Sequence, residues 1–384
     1  MAVPRPIDPA ALVPRLERAY DFAAKQVRAT IARSPDFFPM YTVRGKWKHS
    51  GELWTDWCAG FHAGMMWLIA ARTGDQWWRE MAERYSKLIE HKQFDRDVHD
   101  LGFIFLNTYL PWYEQTGDPR LQRVLIQAGR TLALRFNPKG KYLRSFVAPE
   151  SLFIDIMMNV PIIFYAARAT NDKALYDLAV AHCRTTERTI VRPDGGTAHE
   201  GIFNPETGEF LRESTHQGLR AESDWTRGLA WSLYGFGTVY SYTKDPADLA
   251  VSRRNADHFL QRLPDSFVPP WDFDVAEGPD RIPDSSAGAI AASGLLQLAE
   301  LTRPIDLVGA EGYQNGALNI LDALLTDEYV AWADAGWEGV LKRGVYHFHK
   351  NLGVDESVMW GEFFFLEAVD RVLKAGNLET STVS

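Results

Sequence analysis

Four stops of nearly the same form divide the chain: Arg72-Thr73-Gly74-Asp75, Gln115-Thr116-Gly117-Asp118, Ala169-Thr170-Asn171-Asp172 and Tyr242-Thr243-Lys244-Asp245. In the first three, Gly or Asn can take the left-handed backbone that closes a helix. In all four, the Asp that follows can cap the next helix by accepting one of its free N–H groups. The segments before the stops are apolar almost all round: Trp57–Ile69, Leu101–Trp112, Ile154–Arg168 and Trp225–Tyr240. The segments after them are amphipathic with a charged face: Gln76–Gln93, Pro119–Phe136, Lys173–Ile190 and Pro246–Arg262. Leu16–Ala32 adds another amphipathic helix at the start. Toward the end, apolar Ala287–Leu301 and Trp360–Leu373 flank an amphipathic segment at Tyr313–Leu325.

A helix that is apolar on every side must be surrounded by protein, whereas an amphipathic one covers the outside. Twelve alternating helices predict an all-α (α/α)6 barrel, with six inner helices ringed by six outer ones. Stops this short make neighbouring helices antiparallel, so all six inner helices start at one end. The long connections 191–224, 263–284 and 329–359 all precede inner helices and gather at that end. Long loops on a rigid scaffold are where function collects. Length alone would suggest two or more domains, but the repeat argues for a single catalytic domain over 1–384, with 1–12 and 375–384 as flexible ends.

Composition narrows the partners. A net charge of −9 leaves no basic stripe for nucleic acid, although a few local cations could hold a small anionic substrate. Thirteen Trp suit both helix packing and a sugar- or ring-binding cleft. Cys58 and Cys183 form neither a metal-ligand spacing nor a disulfide framework, and read as buried thiols of a reducing compartment. The first residues show no apolar signal core, and no run of eighteen apolar residues occurs. These features predict a cytoplasmic protein with no membrane partner; its oligomeric state stays open. No metal spacing, phosphate loop or Ser-His-Asp elbow occurs, so neither a metal nor a cofactor is expected.

The inner helix starts carry Asp56-Trp57, His99-Asp100, Asp155, Asp224-Trp225 with Arg227, Asp284-Ser285-Ser286, and Trp360 with Glu362. A lone Asp at a helix start is most often a cap. Five of them converging on one mouth, several beside Trp, point instead to a site, and helix N-termini there favour an anion. Asp155 has only apolar neighbours in Leu152–Met158, which should raise its pKa as a proton donor near neutral pH requires. Asp100 is the natural second carboxylate. Arg227 and Trp231, spaced i, i+4, share a helix face and suit a carboxylate on a ring, or else a cation–π contact in the barrel wall. His199, in Thr197-Ala198-His199-Glu200, reads on its own as a loop histidine.

Together these segments resemble the unsaturated glucuronyl hydrolases of glycoside hydrolase family 88, over about Trp57 to Val372. The resemblance rests on His99-Asp100-Leu101-Gly102-Phe103, the Asp155 segment through Asn159-Val160-Pro161, and Ser214-Thr215-His216-Gln217-Gly218. It continues through Trp225-Thr226-Arg227-Gly228 with Trp231, Trp271-Asp272-Phe273, Asp284-Ser285-Ser286-Ala287 and Arg343-Gly344-Val345-Tyr346-His347. It implies an (α/α)6 barrel acting on the 4,5-unsaturated uronic acid that a polysaccharide lyase leaves at a non-reducing end. It also implies Asp155 as general acid/base and Asp100 as the second catalytic carboxylate. His99, Trp57, His199, Thr215, Gln217, Trp225, Arg227 and Trp231 would bind an unsaturated oligosaccharide. Protonation at C4 of the vinyl ether and addition of water at C5 would give a hemiketal that opens and releases the remaining sugar.

Two departures stand out. The family tends to show Trp-Thr-Asp-Gly-Phe where this chain has Trp57-Cys58-Ala59-Gly60-Phe61, so one polar group near the first helix start is missing. The stretch His349–Asp355 lacks a serine-containing loop of some members, which leaves the choice among chondroitin, heparin, hyaluronan, gellan and xanthan products open. Rival expectations are an unsaturated rhamnogalacturonyl hydrolase with the same barrel, a sugar epimerase, which would need paired inner-wall histidines, and a non-catalytic helical-repeat binding protein.

Overall fold

In the computed structural model, which describes residues 4–50 and 57–381 with side chains to residue 375, the four stops close their helices as expected. Gly74, Gly117 and Asn171 take positive φ, and so does Lys244 at the fourth stop (φ 56°), where only steric tolerance of the left-handed region is available. Asp75, Asp118, Asp172 and Asp245 each accept a backbone N–H of the helix they start.

In chain order the helices are α1 (Pro9–Arg33), α2 (Ala59–Thr73), α3 (Gln76–Leu88), α4 (Leu101–Phe105), α5 (Tyr109–Thr116), α6 (Pro119–Ala133) and α7 (Pro161–Thr170). They continue as α8 (Lys173–Ile190), α9 (Thr226–Thr243), α10 (Pro246–Arg262), α11 (Ser285–Thr302), α12 (Leu307–Leu324) and α13 (Met359–Ser381). The inner ring closes on itself: α2 packs on α4, α4 on α7, α7 on α9, α9 on α11, α11 on α13, and α13 back on α2. α1, α3, α6, α8, α10 and α12 cover it from outside, which makes the fold an (α/α)6 barrel.

Several boundaries differ from the apolar pattern, each for a local reason. The third inner helix was expected from Ile154. Instead Ile154–Met158 form a 3-10 turn and α7 starts at Pro161, whose missing N–H and fixed φ suit a first helical position. The second inner helix breaks between α4 and α5. Pro111 cannot bond the carbonyl of Asn107 and its ring crowds it, while Asn107 and Thr108 turn their side chains back onto Phe103 O and Ile104 O. α1 starts at Pro9 rather than Leu16 because Asp8 caps it, and α12 starts at Leu307 rather than Tyr313 because Asp306 does the same. The segment Gln76–Gln93 ends as a helix at Leu88 and continues as a 3-10 turn over Glu90–Phe94.

The long connections are not featureless. Ser151–Phe153, Glu200–Phe203 and Phe210–Ser214 form a three-stranded antiparallel ribbon, and Gly344–His347 pairs with Leu352–Glu356. One turn below the inner helix starts, Phe61, Phe103, Trp231 and Phe364 pack in tilted and edge-to-face pairs, with ring centroids 4.9 to 5.6 Å apart. These rings close the bore and give the mouth a floor.

Candidate active site

Above that floor is a cavity of 240 Å³ lined by Trp57, Val98, His99, Asp100, Phe146, Phe153, Asp155, Gln217, Arg227 and Tyr346. Four inner helix starts and two long connections contribute to it, so the sequence-distant polar residues do converge.

Asp155 owes its place to the turn that Pro161 forces. Ile154 N–H donates to His199 O at 3.0 Å, which joins the turn to the ribbon. Asn159 clamps it from the other side, donating to Asp155 O at 3.1 Å while its Oδ1 accepts Phe103 N–H at 2.8 Å. Gly102 lets α4 come this close, because a Cβ there would stand 2.4 Å from Asn159 Cα. Asp100, at the start of α4, is thereby held beside Asp155.

Burial pushes the Asp155 carboxyl up to about 6, against the lowering influence of nearby Arg227. Burial raises Asp100 well above the usual carboxylate range, and the charge of Asp155 raises it further. Both carboxyls therefore favour the protonated form more than an exposed aspartate does. Oδ2 of Asp155 is buried without a hydrogen bond, and its nearest opposite group is His199 Nε2 at 3.6 Å. His99 Nε2 stands 3.4 Å from Asp100 Oδ1.

Arg227 is buried, with its guanidinium 4.4 Å from the Trp225 ring centroid and 5.0 Å from that of Trp360. It donates to Val345 O, to Tyr346 O at 2.9 Å and to Gln217 Oε1. Those acceptors are neutral, and the nearest counter-charge, Asp284, lies 3.6 Å away and also caps α11 through Ser286 N–H. A buried cation held mostly by neutral oxygens is prepared for an anion from the cavity. Gln217, fixed by Arg227, presents its remaining amide group to the same space.

Not every residue singled out in the sequence faces the cavity. Trp57, His99, Asp100, Asp155, Gln217 and Arg227 line it. His199 lies behind Asp155, and the Trp225 ring packs tilted against His199 with centroids 4.3 Å apart. Thr215 holds the turn of its loop by accepting Gly218 N–H at 2.8 Å. Trp231 belongs to the aromatic floor. Asp224 points away from the mouth: it binds Arg192, Arg262, His258 and Thr197 N–H, and so ties the 191–224 connection to α10. Glu362 accepts Val340 and Leu341 N–H on the far side of α13's start. Asp56 lies outside the described residues. Among the described residues, no group of three or more His, Cys, Asp or Glu is arranged to hold a metal ion.

Sequence reasoning missed Val98, Phe146, Phe153 and Tyr346. Tyr346 belonged to a motif already noted, Arg343–His347, and Phe146 follows Ser145 in a Pro-containing connection, a weak signal. Val98 and Phe153 look like any core residue in sequence.

Comparisons with known proteins point the same way. Residues 31–272 match the family described as Glycosyl Hydrolase Family 88. An unsaturated glucuronyl hydrolase of Bacillus sp. (strain GL1) is 33% identical over 328 residues, 83% of this chain and 86% of that protein. An unsaturated chondroitin disaccharide hydrolase of Streptococcus pyogenes serotype M1 is 28% identical over 370 residues, 94% of this chain and 92% of its own length. A crystal structure of an unsaturated glucuronyl hydrolase specific for heparin superimposes with a TM-score of 0.87 at 30% identity, covering 95% of this chain and 98% of that one. With the barrel, the mouth and more than half of the chain in agreement, this protein belongs to Glycosyl Hydrolase Family 88.

Proposed function

We propose that the chain is an unsaturated glucuronyl hydrolase, a single-domain glycosidase that hydrates the 4,5-unsaturated glucuronic acid at the non-reducing end of lyase-generated oligosaccharides. The observation that carries this reading is that buried Arg227, bonded to Gln217, lines one cavity together with the two carboxylates Asp100 and Asp155. Arg227 suits the substrate's C5 carboxylate, and Trp57 and Tyr346 offer flat apolar walls for the ring.

Binding sets up the chemistry. Arg227 lowers the pKa of Asp155. A substrate carboxylate paired with Arg227 cancels that influence, so Asp155 takes up a proton as the substrate arrives. Asp155 then gives this proton to C4 of the vinyl ether, and positive charge develops at C5 and the ring oxygen. Water adds at C5 and returns a proton to Asp155, with Asp100 orienting or sharing it. The C5 hemiketal opens, C1 becomes a hemiacetal, and its collapse releases the next sugar. Atoms balance with one water consumed and no displacement at C1.

One relative is named for chondroitin disaccharide and one solved structure for heparin. Substrate preference is therefore an experimental question. Incubation with a panel of lyase-generated disaccharides, followed by ultraviolet absorbance of the conjugated double bond, tests the proposal. Loss of absorbance with at least one supports it, and persistence across the panel rejects it.

The reading includes a cytoplasmic setting, supported by two buried cysteines that form no disulfide with each other. No helix among the described residues is long and apolar enough to cross a membrane.

A further inference from the structure

Each mouth carboxylate has a buried histidine beside it, and each histidine is gripped from behind by peptide N–H groups. His199 Nδ1 accepts from His216 and Gln217 N–H, both at 3.1 Å, and His99 Nδ1 accepts from Phe146 N–H at 3.1 Å. A peptide nitrogen can only donate, so each Nδ1 must offer a lone pair, and the proton of the neutral ring must sit on Nε2. Both Nε2 atoms are the ones that face the carboxylates, at 3.6 Å from Asp155 and 3.4 Å from Asp100. His199 Nε2 and Asp155 Oδ2 are moreover both buried without any hydrogen bond. The gap is a few tenths of an ångström beyond bonding distance, of the kind that closes when a site fills.

We infer that His199 and His99 are positioning residues, each a fixed Nε2–H donor set by loop amides, that occupy one oxygen of Asp155 and Asp100 and keep the acidic proton on the other, cavity-facing oxygen. For Asp155 this makes Oδ2 the acceptor and Oδ1 the oxygen that delivers the proton. The same amides bar a second proton from either ring, so neither histidine carries protons itself. Asp155 is otherwise faced by Arg227 and Asp100; Asp100 by Arg135 and Asp95; His199 by His216, His347, Arg227 and His99; and His99 by Arg135 and His182. The loop that locks His199 also supplies Gln217 to Arg227, so anion binding and carboxyl geometry are set by one five-residue turn.

The kinetic consequence rests on the function proposed above, but the tautomers do not. Ring-nitrogen NMR of the full-length, 15N-histidine-labelled protein, with His99→Gln and His199→Gln used for assignment, should show two neutral Nε2–H rings that do not titrate between about pH 5 and 8. A titrating ring, or an Nδ1–H tautomer at either position, overturns the inference whether or not any sugar is turned over. In kinetics, His199→Leu should lower kcat about tenfold or more with little change in KM, and move the alkaline limb of kcat/KM upward, because Asp155 loses a stabilising donor. His199→Gln, which can restore an N–H, should recover most of both. A raised KM with kcat and the limb unmoved would make His199 a substrate contact instead.

Discussion

Gly102 and Asn159 meet backbone to side chain: Asn159 Oδ1 accepts the N–H of Phe103, next to Gly102, and any Cβ on Gly102 would stand 2.4 Å from Asn159 Cα. This contact joins the start of α4, which carries Asp100, to the turn that carries Asp155. The spacing of the two carboxylates therefore depends on a residue that touches neither substrate nor proton.

Gly102→Ala should cost about 1–3 kcal/mol of stability by overpacking, and the folded fraction should lose activity as well because the turn and α4 are pushed apart. Thermal unfolding and kcat on the folded fraction check this; full activity per folded molecule would show that the spacing is not critical.

Asp155→Asn should leave the fold intact and kcat lower by about 10²–10⁴. Its melting temperature should equal or exceed the parent's, since the variant removes a carboxyl whose ionised form is penalised by burial. An unfolded variant would make Asp155 a structural residue.

The general acid must be protonated, so activity is lost as pH rises through its pKa. The kcat/KM profile of the free enzyme should fall above about 6. The kcat profile should fall at higher pH, because bound substrate cancels the influence of Arg227. Coincident limbs would contradict that coupling.

Arg227→Lys keeps the charge but not the fork that reaches Val345 O, Tyr346 O and Gln217 at once. It should weaken kcat/KM by about 10–10², mainly through KM. Asp224→Asn is the contrasting case at a neighbouring helix start: it should cost about 1–3 kcal/mol and leave kcat within a small factor, because Asp224 serves the Arg192–Arg262–His258 network.

His62 is buried and neither ring nitrogen has a hydrogen bond, which lowers its pKa from 6.5 to about 3. A group with a depressed folded pKa contributes stability above its unfolded value and loses it as pH falls. The protein should thus weaken progressively below about 6.5, and His62→Leu should flatten that slope; an unchanged slope would mean that the ring is hydrated or paired.

The barrel was legible because its cue is physical and repeated: an Asp cap after a left-handed stop, and helices apolar on all sides alternating with amphipathic ones. Asp155 stood out because a charge in an apolar run needs a reason, and Asp100 and Arg227 because they stand at inner helix starts beside His99 and Trp225. What the sequence hid depended on backbone direction. Asp224 and Glu362 sit at the same helix ends as the cavity residues but turn toward loops, a difference of side-chain orientation that no spacing encodes. The late start of α7 was written in Pro161, whereas the grip of loop amides on His99 and His199 required the folded loops.

The central claim is that Asp155 protonates C4 and water enters at C5. Turnover of an unsaturated disaccharide in D2O enriched in oxygen-18 tests it in one product analysis by NMR and mass spectrometry. The account predicts one deuterium at C4, oxygen-18 at C5 and loss of the double bond. Oxygen-18 at C1, with the double bond retained and no deuterium at C4, would contradict it.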